Sequence, residues 1–183
     1  MTLTFQEPVF YGLFLVISGG QCGSDQGGLS AAKDFGVQTG GVAPKGWKTC
    51  KGAQPQLARF DMLEDTVSGY VHRTKANVEA ADGTVIIASN PSSTGSLATA
   101  RFAYKAKKPW RVIEIPTDSL NSWHDEQGKK LAEWIIENRI GVLNVAGNRD
   151  KVRDMIHHYA AYRILYSALE NLHTKEHLVL KEC

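Results

Sequence analysis

The chain has 183 residues, of which 43% are apolar and 22% charged, and a net charge of +2. That length supports one domain, residues 1–183, with a full core, and the composition is ordinary for a globular fold. So small a net charge argues against nucleic acid or an anionic membrane as partner.

The apolar stretch from Val9 to Ile17, broken by Tyr11 and Gly12, is too short to span a bilayer and lacks the features of a secretory leader. Its second part, Leu13–Ser18, predicts a buried parallel strand. The run stops at Gly19-Gly20, and Asp25 opens a helical pattern through Phe35. Strand, glycine loop and helix start are the arrangement that aims backbone N–H groups at an anion. Gly20, Gly23 and Gly27 do not match the dinucleotide fingerprint, so a tight structural turn is the alternative reading. A short strand is expected near Gln38–Val42. The Gly/Pro/Lys-rich segment from Ala43 to Arg59 has no period, as in functional or mobile loops. Further on, helices are expected at Asp65–Ala80, Thr94–Lys107, Glu126–Asn138 and Lys151–Leu172. Strands are expected at Thr84–Ser89, Arg111–Ile115 and Val142–Ala146. Lys105, Lys107, Lys108 and Arg111 cluster where cations suit a helix C-terminus. This alternation predicts an α/β fold: a three-layer sandwich with helices on both faces of a mostly parallel central sheet.

In such sheets ligands bind at the carboxyl ends of the strands. Three expected strands end in small polar or glycine-bearing loops: Ser18–Gln21, Ser89–Ser96 and Asn144–Arg149. Parallel strands bring all three to one edge, which predicts a small-molecule crevice there. The candidate ligand-binding residues are Gly19, Gly20, Gln21, Gly23, Asp25, Lys45, Arg73, Asn77, Ser93, Thr94, Gly95, Ser96, Asn144, Gly147 and Arg149. Arg149 has the planar fork that grips phosphate or a molybdate-like oxyanion, with a surface salt bridge as the alternative. Arg73 and Asn77, four apart, share a helix face and either look into the crevice or cap a neighbouring loop. Lys45 is a lid cation or a solvated lysine. Asp25 caps its own helix or bonds a ribose or pterin group.

The same residues, in order, resemble a known family. They are Gly19-Gly20-Gln21 with Gly23 and Asp25; Ala31-Ala32; Thr39-Gly40-Gly41 with Pro44-Lys45-Gly46; Arg73-Thr74 with Asn77-Val78; Asp82-Gly83-Thr84; Thr94-Gly95-Ser96 with Thr99; and Leu143 to Gly147 with Arg149. Together they resemble the molybdenum cofactor carrier family. It lies in the wider SLOG superfamily, which includes lysine-decarboxylase-like phosphoribohydrolases and DNA-processing Smf proteins. The resemblance covers residues 13–150 and leaves the expected C-terminal helix, within 151–183, without a motif. It implies a Rossmann-like fold, a nucleotide-type ligand or the molybdenum cofactor, and a homo-oligomer, dimer or tetramer. A sensor or sponge for a nucleotide-derived signal, such as a cyclic ADP-ribose species, is the alternative. A phosphoribohydrolase-like enzyme is a second. The phosphoribohydrolases carry Pro-Gly-Gly-x-Gly-Thr-x-x-Glu, and matching Gly95-Ser96 to their Gly-Thr puts Thr99 at the glutamate. Threonine supplies no carboxylate for glycosidic chemistry, so no catalytic residue is assigned.

Cys22, Cys50 and Cys183 have no metal-ligand spacing and read as free thiols in a reducing cytoplasm. His157, His158, His173 and His177 lack supporting ligands and read as surface histidines rather than a metal site. The stripe with Tyr159, Tyr162 and Tyr166 reads first as core. Its length and tyrosines also suit a subunit interface.

Overall fold

A computed structural model describes residues 12–151 and 155–181. The strands and helices in chain order are β1 (Leu15–Ser18), α1 (Ser24–Phe35), β2 (Gln38–Gly40), β3 (Val42–Ala43), β4 (Lys48–Thr49), β5 (Gly52–Ala53), β6 (Leu63–Glu64), α2 (Val71–Ala80), β7 (Gly83–Ala88), α3 (Thr94–Lys105), β8 (Trp110–Glu114), α4 (Asn121–Glu137), β9 (Val142–Gly147) and α5 (Ile156–Lys181). The central sheet has the order β2-β1-β9-β7-β8, and every neighbouring pair is parallel. The last strand, β9, is therefore the middle one. It inserts between β1 and β7 and brings the carboxyl ends of all three together.

β7 is buried at every position, as expected of a strand covered on both faces. Its Val85 and Ile87 join Val16, Leu143 and Val145 in a core completed by helices α1, α4 and α5. Helices α2 and α3 pack together on the other face. α5 is a core helix. Ala160, Ala161, Ile164, Leu165, Ala168 and Leu169 are all buried. Tyr162 donates its hydroxyl to Asp34 Oδ2 at 3.1 Å, and Tyr166 packs edge-on against Phe35. The stripe therefore completes the protomer's own core, and the third tyrosine, Tyr159, donates its hydroxyl to Asn121 Oδ1 at 2.7 Å and packs edge-on against His124. Ile164→Ala is expected to cost about 2–5 kcal/mol in urea unfolding, the usual cost of truncating a buried aliphatic chain. A loss under about 1 kcal/mol would show that α5 is not integral to the core.

Several boundaries move for physical reasons. The strand expected at Gln38–Val42 breaks in two because Gly41 has φ +113°, and a Cβ there would lie 2.2 Å from the Ser18 carbonyl oxygen. β3 then pairs with β6 instead. The helix expected from Asp65 starts six residues later. The Asp65 carboxylate accepts the Val67 amide in an Asx turn, and Gly69 follows at φ +99°. The segment expected as an irregular loop holds the β4–β5 hairpin and two short 3-10 turns, Lys45–Trp47 and Pro55–Phe60. Leu57, Phe60 and Met62 anchor it on Leu29 and Ala43 as a second, smaller core. α4 begins five residues early, since Trp123 packs on the main core and His124 is buried.

The thiols differ from expectation. Cys22 and Cys50 are paired in a disulfide with their Cα atoms 6.2 Å apart, within the normal range for such a bridge. Their spacing of 28 residues gives no sign of it, since the contact exists only once the hairpin folds back on the glycine loop. Cys183 lies outside the described residues. No described helix is long and apolar enough to cross a membrane.

Candidate functional site

The carboxyl ends of β1, β7 and β9 open onto a cleft of ≈ 620 Å³. Its walls come from four places: Gln21 and Asp25 after β1, Arg73 and Thr74 on α2, Asn90 to Thr99 after β7, and Ala146 to Arg149 after β9. His157, in the first turn of α5, and Tyr70 complete them. Eight of the candidate residues line it: Gln21, Asp25, Arg73, Ser93, Thr94, Gly95, Gly147 and Arg149.

α3 starts at this cleft. Ser93 is its N-cap, and the hydroxyl accepts the Ser96 amide at 3.4 Å. The Leu97 amide donates to the Ser93 carbonyl. The Thr94 and Gly95 amides, the first two of the helix, are left without an intrahelical acceptor. A Cβ built on Gly95 would meet nothing within 4 Å, so this helix end faces open space. Thr99, one turn on, lines the same wall and donates its hydroxyl to the Gly95 carbonyl at 3.0 Å. The position matched to a glutamate thus does face the cleft, with a hydroxyl engaged along its own helix.

Opposite lies a buried ion pair. Arg73 Nη1 donates to Asp25 Oδ2 at 3.3 Å, and the same oxygen accepts the Gln21 amide at 3.1 Å. Burial pushes the Asp25 carboxyl above the usual carboxylate range, and the Arg73 charge and the Gln21 N–H pull it back only in part. Asp25 does not cap α1. It braces the glycine loop against α2. Arg73 Nε is buried and has no hydrogen-bond partner among the described residues. Arg149 is exposed at the cleft mouth and makes no hydrogen bond or ion pair among the described residues.

The other candidates stand behind these walls. A Cβ on Gly19 would sit 1.3 Å from Arg73 Nη1, so the glycine makes room for the guanidinium. Gly20, at φ +71°, turns toward Met62 and Leu57, where a Cβ would be 3.0 and 3.2 Å away. Its bare face therefore serves the second core rather than the cleft. Gly23 passes under the β9 loop, where a Cβ would come within 2.4 Å of the Asn148 carbonyl oxygen. Asn77 is buried, accepts the Val42 amide at 2.8 Å and donates to the Val42 carbonyl at 3.0 Å, which fixes β3. Asn144 is buried in the sheet and donates to Thr84 Oγ1 at 3.3 Å. Ser96 is buried beneath Ser93. Lys45 lies exposed on its 3-10 turn and is not part of the lining.

Two positions outside the candidate set organise the cleft. Asn148 Oδ1 accepts the Asn90 amide at 2.8 Å, and Nδ2 donates to the Asn90 carbonyl and the Ser93 hydroxyl at 3.1 and 3.0 Å. It ties the β9 loop to the β7 loop. Only its place between Gly147 and Arg149 hinted at this. His157 reaches the cleft because the buried Asp150 carboxylate accepts the His157 and His158 amides at 2.9 and 3.3 Å and so starts α5 there. Gln21 Oε1 meanwhile accepts the Cys22 and Cys50 amides at 3.2 and 2.6 Å, holding the hairpin over the glycine loop. Among the described residues no cluster of histidine, cysteine or carboxylate side chains could hold a metal ion. The His177 side chain lies outside them.

A parallel sheet with a cleft at its carboxyl edge, where helices α1 and α3 begin, defines a Rossmann-like protein. More narrowly, the chain belongs to the circularly permutated YpsA SLOG family, whose model matches residues 16–169. The chain is also similar to a solved structure from Syntrophus aciditrophicus SB, titled "Putative molybdenum carrier protein". Identity is 31%, the match covers 85% of this chain and 94% of the other, and the TM-score is 0.76. No curated protein matches the chain.

Proposed function

We propose that the cleft binds a phosphate-bearing small molecule, as a carrier or binding protein. The observation that carries this reading is the open start of α3. Two amides without intrahelical acceptors stand beside a glycine with empty space in front of it, in the cleft that Arg73 also lines. Arg73, which lines the same cleft, supplies a guanidinium charge, and Arg149 a free one. This donor set fits a phosphate monoester. The molybdenum cofactor, the ligand the family resemblance implies, carries one; the similar solved structure is named a molybdenum carrier protein, and the cleft's size suits a ligand of that class. Thr99 supplies no general acid or base, which favours binding over glycosidic cleavage.

The test is titration calorimetry with adenosine monophosphate, ADP-ribose and inorganic phosphate, with molybdenum and pterin analysis of protein purified from its own host. Heat on titration, or co-purified molybdopterin returned intact on denaturation, supports the reading. Silence in both refutes it. Arg149→Ala is expected to weaken an anionic ligand by about 1.5–3 kcal/mol, the usual worth of a hydrogen bond to a charged group. Arg149→Lys restores the charge without the bidentate fork and should recover only part. Equal affinity in all three proteins removes Arg149 from the site.

A further inference from the structure

Beside the anion-facing wall lies an arrangement the binding reading does not use. Ser89 follows β7 directly, and its hydroxyl is 2.8 Å from His157 Nε2. The other ring nitrogen, Nδ1, is 3.0 Å from Asp150 Oδ1. We propose that Ser89, His157 and Asp150 form a serine-hydrolase relay at the cleft rim, acting on carboxylic esters whose anionic part lies in the cleft.

Four observations carry this. Each ring nitrogen meets the partner its role requires: the carboxylate at Nδ1 fixes the tautomer, and Nε2 is left to take the serine proton. Exposure rises along the relay in the useful direction. The Asp150 side chain is 2% exposed and that of His157 13%, while Ser89 is exposed. The carboxylate is also held independently, since it accepts the two backbone amides that start α5, so the imidazole is oriented by a fixed group. Finally, Ser89 and Asp150 stand on the loops that follow the neighbouring parallel strands β7 and β9, and His157 in the first turn of α5, in the chain order serine, aspartate, histidine. Hydrolases built on parallel sheets use that order, although no Gly-x-Ser-x-Gly turn surrounds Ser89 here. His157, which the hydroxyl contacts, and Asn90, the next residue in the chain, both line the cleft, so Ser89 stands beside it.

The step balances without a further reagent except water. Ser89 Oγ attacks the carbonyl carbon and its proton passes to His157 Nε2. The carbon–oxygen bond to the leaving alcohol breaks, and the alcohol takes that proton. Water then adds to the acyl carbon and gives a proton to His157. The bond to Ser89 Oγ breaks, and the oxygen recovers its proton. Asp150 is a positioning residue in this scheme. The proposal does not depend on which anion the cleft prefers.

Diisopropyl fluorophosphate is the probe, since it reads the nucleophile without an anionic ligand. Peptide mapping of the full chain should find one diisopropylphosphoryl group on Ser89 and none in Ser89→Ala. His157→Gln retains hydrogen-bonding groups at both ends but accepts no proton, and its labelling rate should fall about 100-fold or more. With p-nitrophenyl acetate, Asp150→Asn should lower kcat and leave KM unchanged, as loss of orientation rather than of binding requires. No adduct, an adduct elsewhere, or labelling undiminished in a folded His157→Gln protein would reduce the contact to a tie between β7 and α5. If His157→Gln fails to fold, the wild-type and Ser89→Ala maps still decide.

Discussion

Gly147→Ala is expected to abolish stable folding, whereas Gly95→Ala is expected to leave the fold intact and empty the cleft. Both glycines line the same site, so the contrast separates scaffold from ligand surface. A Cβ at Gly147 would lie 1.9 Å from the Ile87 carbonyl oxygen, 2.8 Å from its carbon and 2.7 Å from Ser24 Oγ. The first two atoms are backbone of β7, a fully buried strand paired on both sides. Neither can yield without breaking the central sheet. Overpacking typically costs about 1–3 kcal/mol where side chains can shift. Here the obstruction is main chain, and a loss of about 4 kcal/mol or more in urea unfolding is expected, enough to consume much of a small domain's stability. At Gly95 nothing stands within 4 Å, and the residue is in the first turn of α3. Alanine there should stabilise by up to about 1 kcal/mol through helix propensity. Its methyl group would occupy the space in front of the Thr94 and Gly95 amides. Calorimetry with adenosine monophosphate should therefore show affinity at least tenfold lower in a protein that melts no earlier than the parent. Unchanged affinity would mean that the ligand does not sit on the α3 amides.

The layers of this fold were readable because β1, β7 and, but for Asn144, β9 are largely apolar runs and the helices between them keep a 3.6-residue period. The edge at which the loops converge followed from parallel pairing, and the three loops at Gln21, Ser93 and Gly147 meet at the cleft there. What the sequence hid depends on tertiary contact. Asn77 and Asn144 look like polar site residues but spend their amides on β3 and on Thr84. Gly20 looks like a phosphate glycine but turns to Met62. Asn148 and His157 carry no local signal, since one works by bridging two loops and the other through a carboxylate seven residues earlier. The disulfide was equally hidden, because Cys50 approaches Cys22 only through a hairpin too short to show a period. In each case the deciding partner lies in a different element, out of reach of any periodicity.

Arg73→Met is expected to destabilise the protein strongly near neutral pH and much less near pH 4, and Asp25→Asn should rescue it. The two side chains are 12% and 6% exposed, so removing the guanidinium leaves a carboxylate uncompensated inside the protein. Such half-deletions of buried pairs cost about 3–5 kcal/mol. The pH dependence follows from the direction of the Asp25 shift. Its folded-state pKa lies above the ordinary 3.8, chiefly through burial. The folded state therefore holds the proton more tightly than the unfolded chain. Below the unfolded-state value both states are protonated, and the full stability is present. As pH rises through the folded-state value, the unfolded chain ionises first and stability falls, then levels once both states are charged. Losing Arg73 removes the charge that opposes this shift, so the fall becomes deeper and extends to higher pH. The asparagine of the double variant has no charge to bury and keeps an oxygen for the Gln21 amide, so the part of the slope due to Asp25 should vanish and much of the loss return. Urea unfolding of the four proteins at pH 4 and pH 7 measures each corner of this cycle. A loss in Arg73→Met that is equal at both pH values, or undiminished by Asp25→Asn, would mean that Arg73 stabilises the glycine loop by packing over Gly19 rather than by neutralising Asp25.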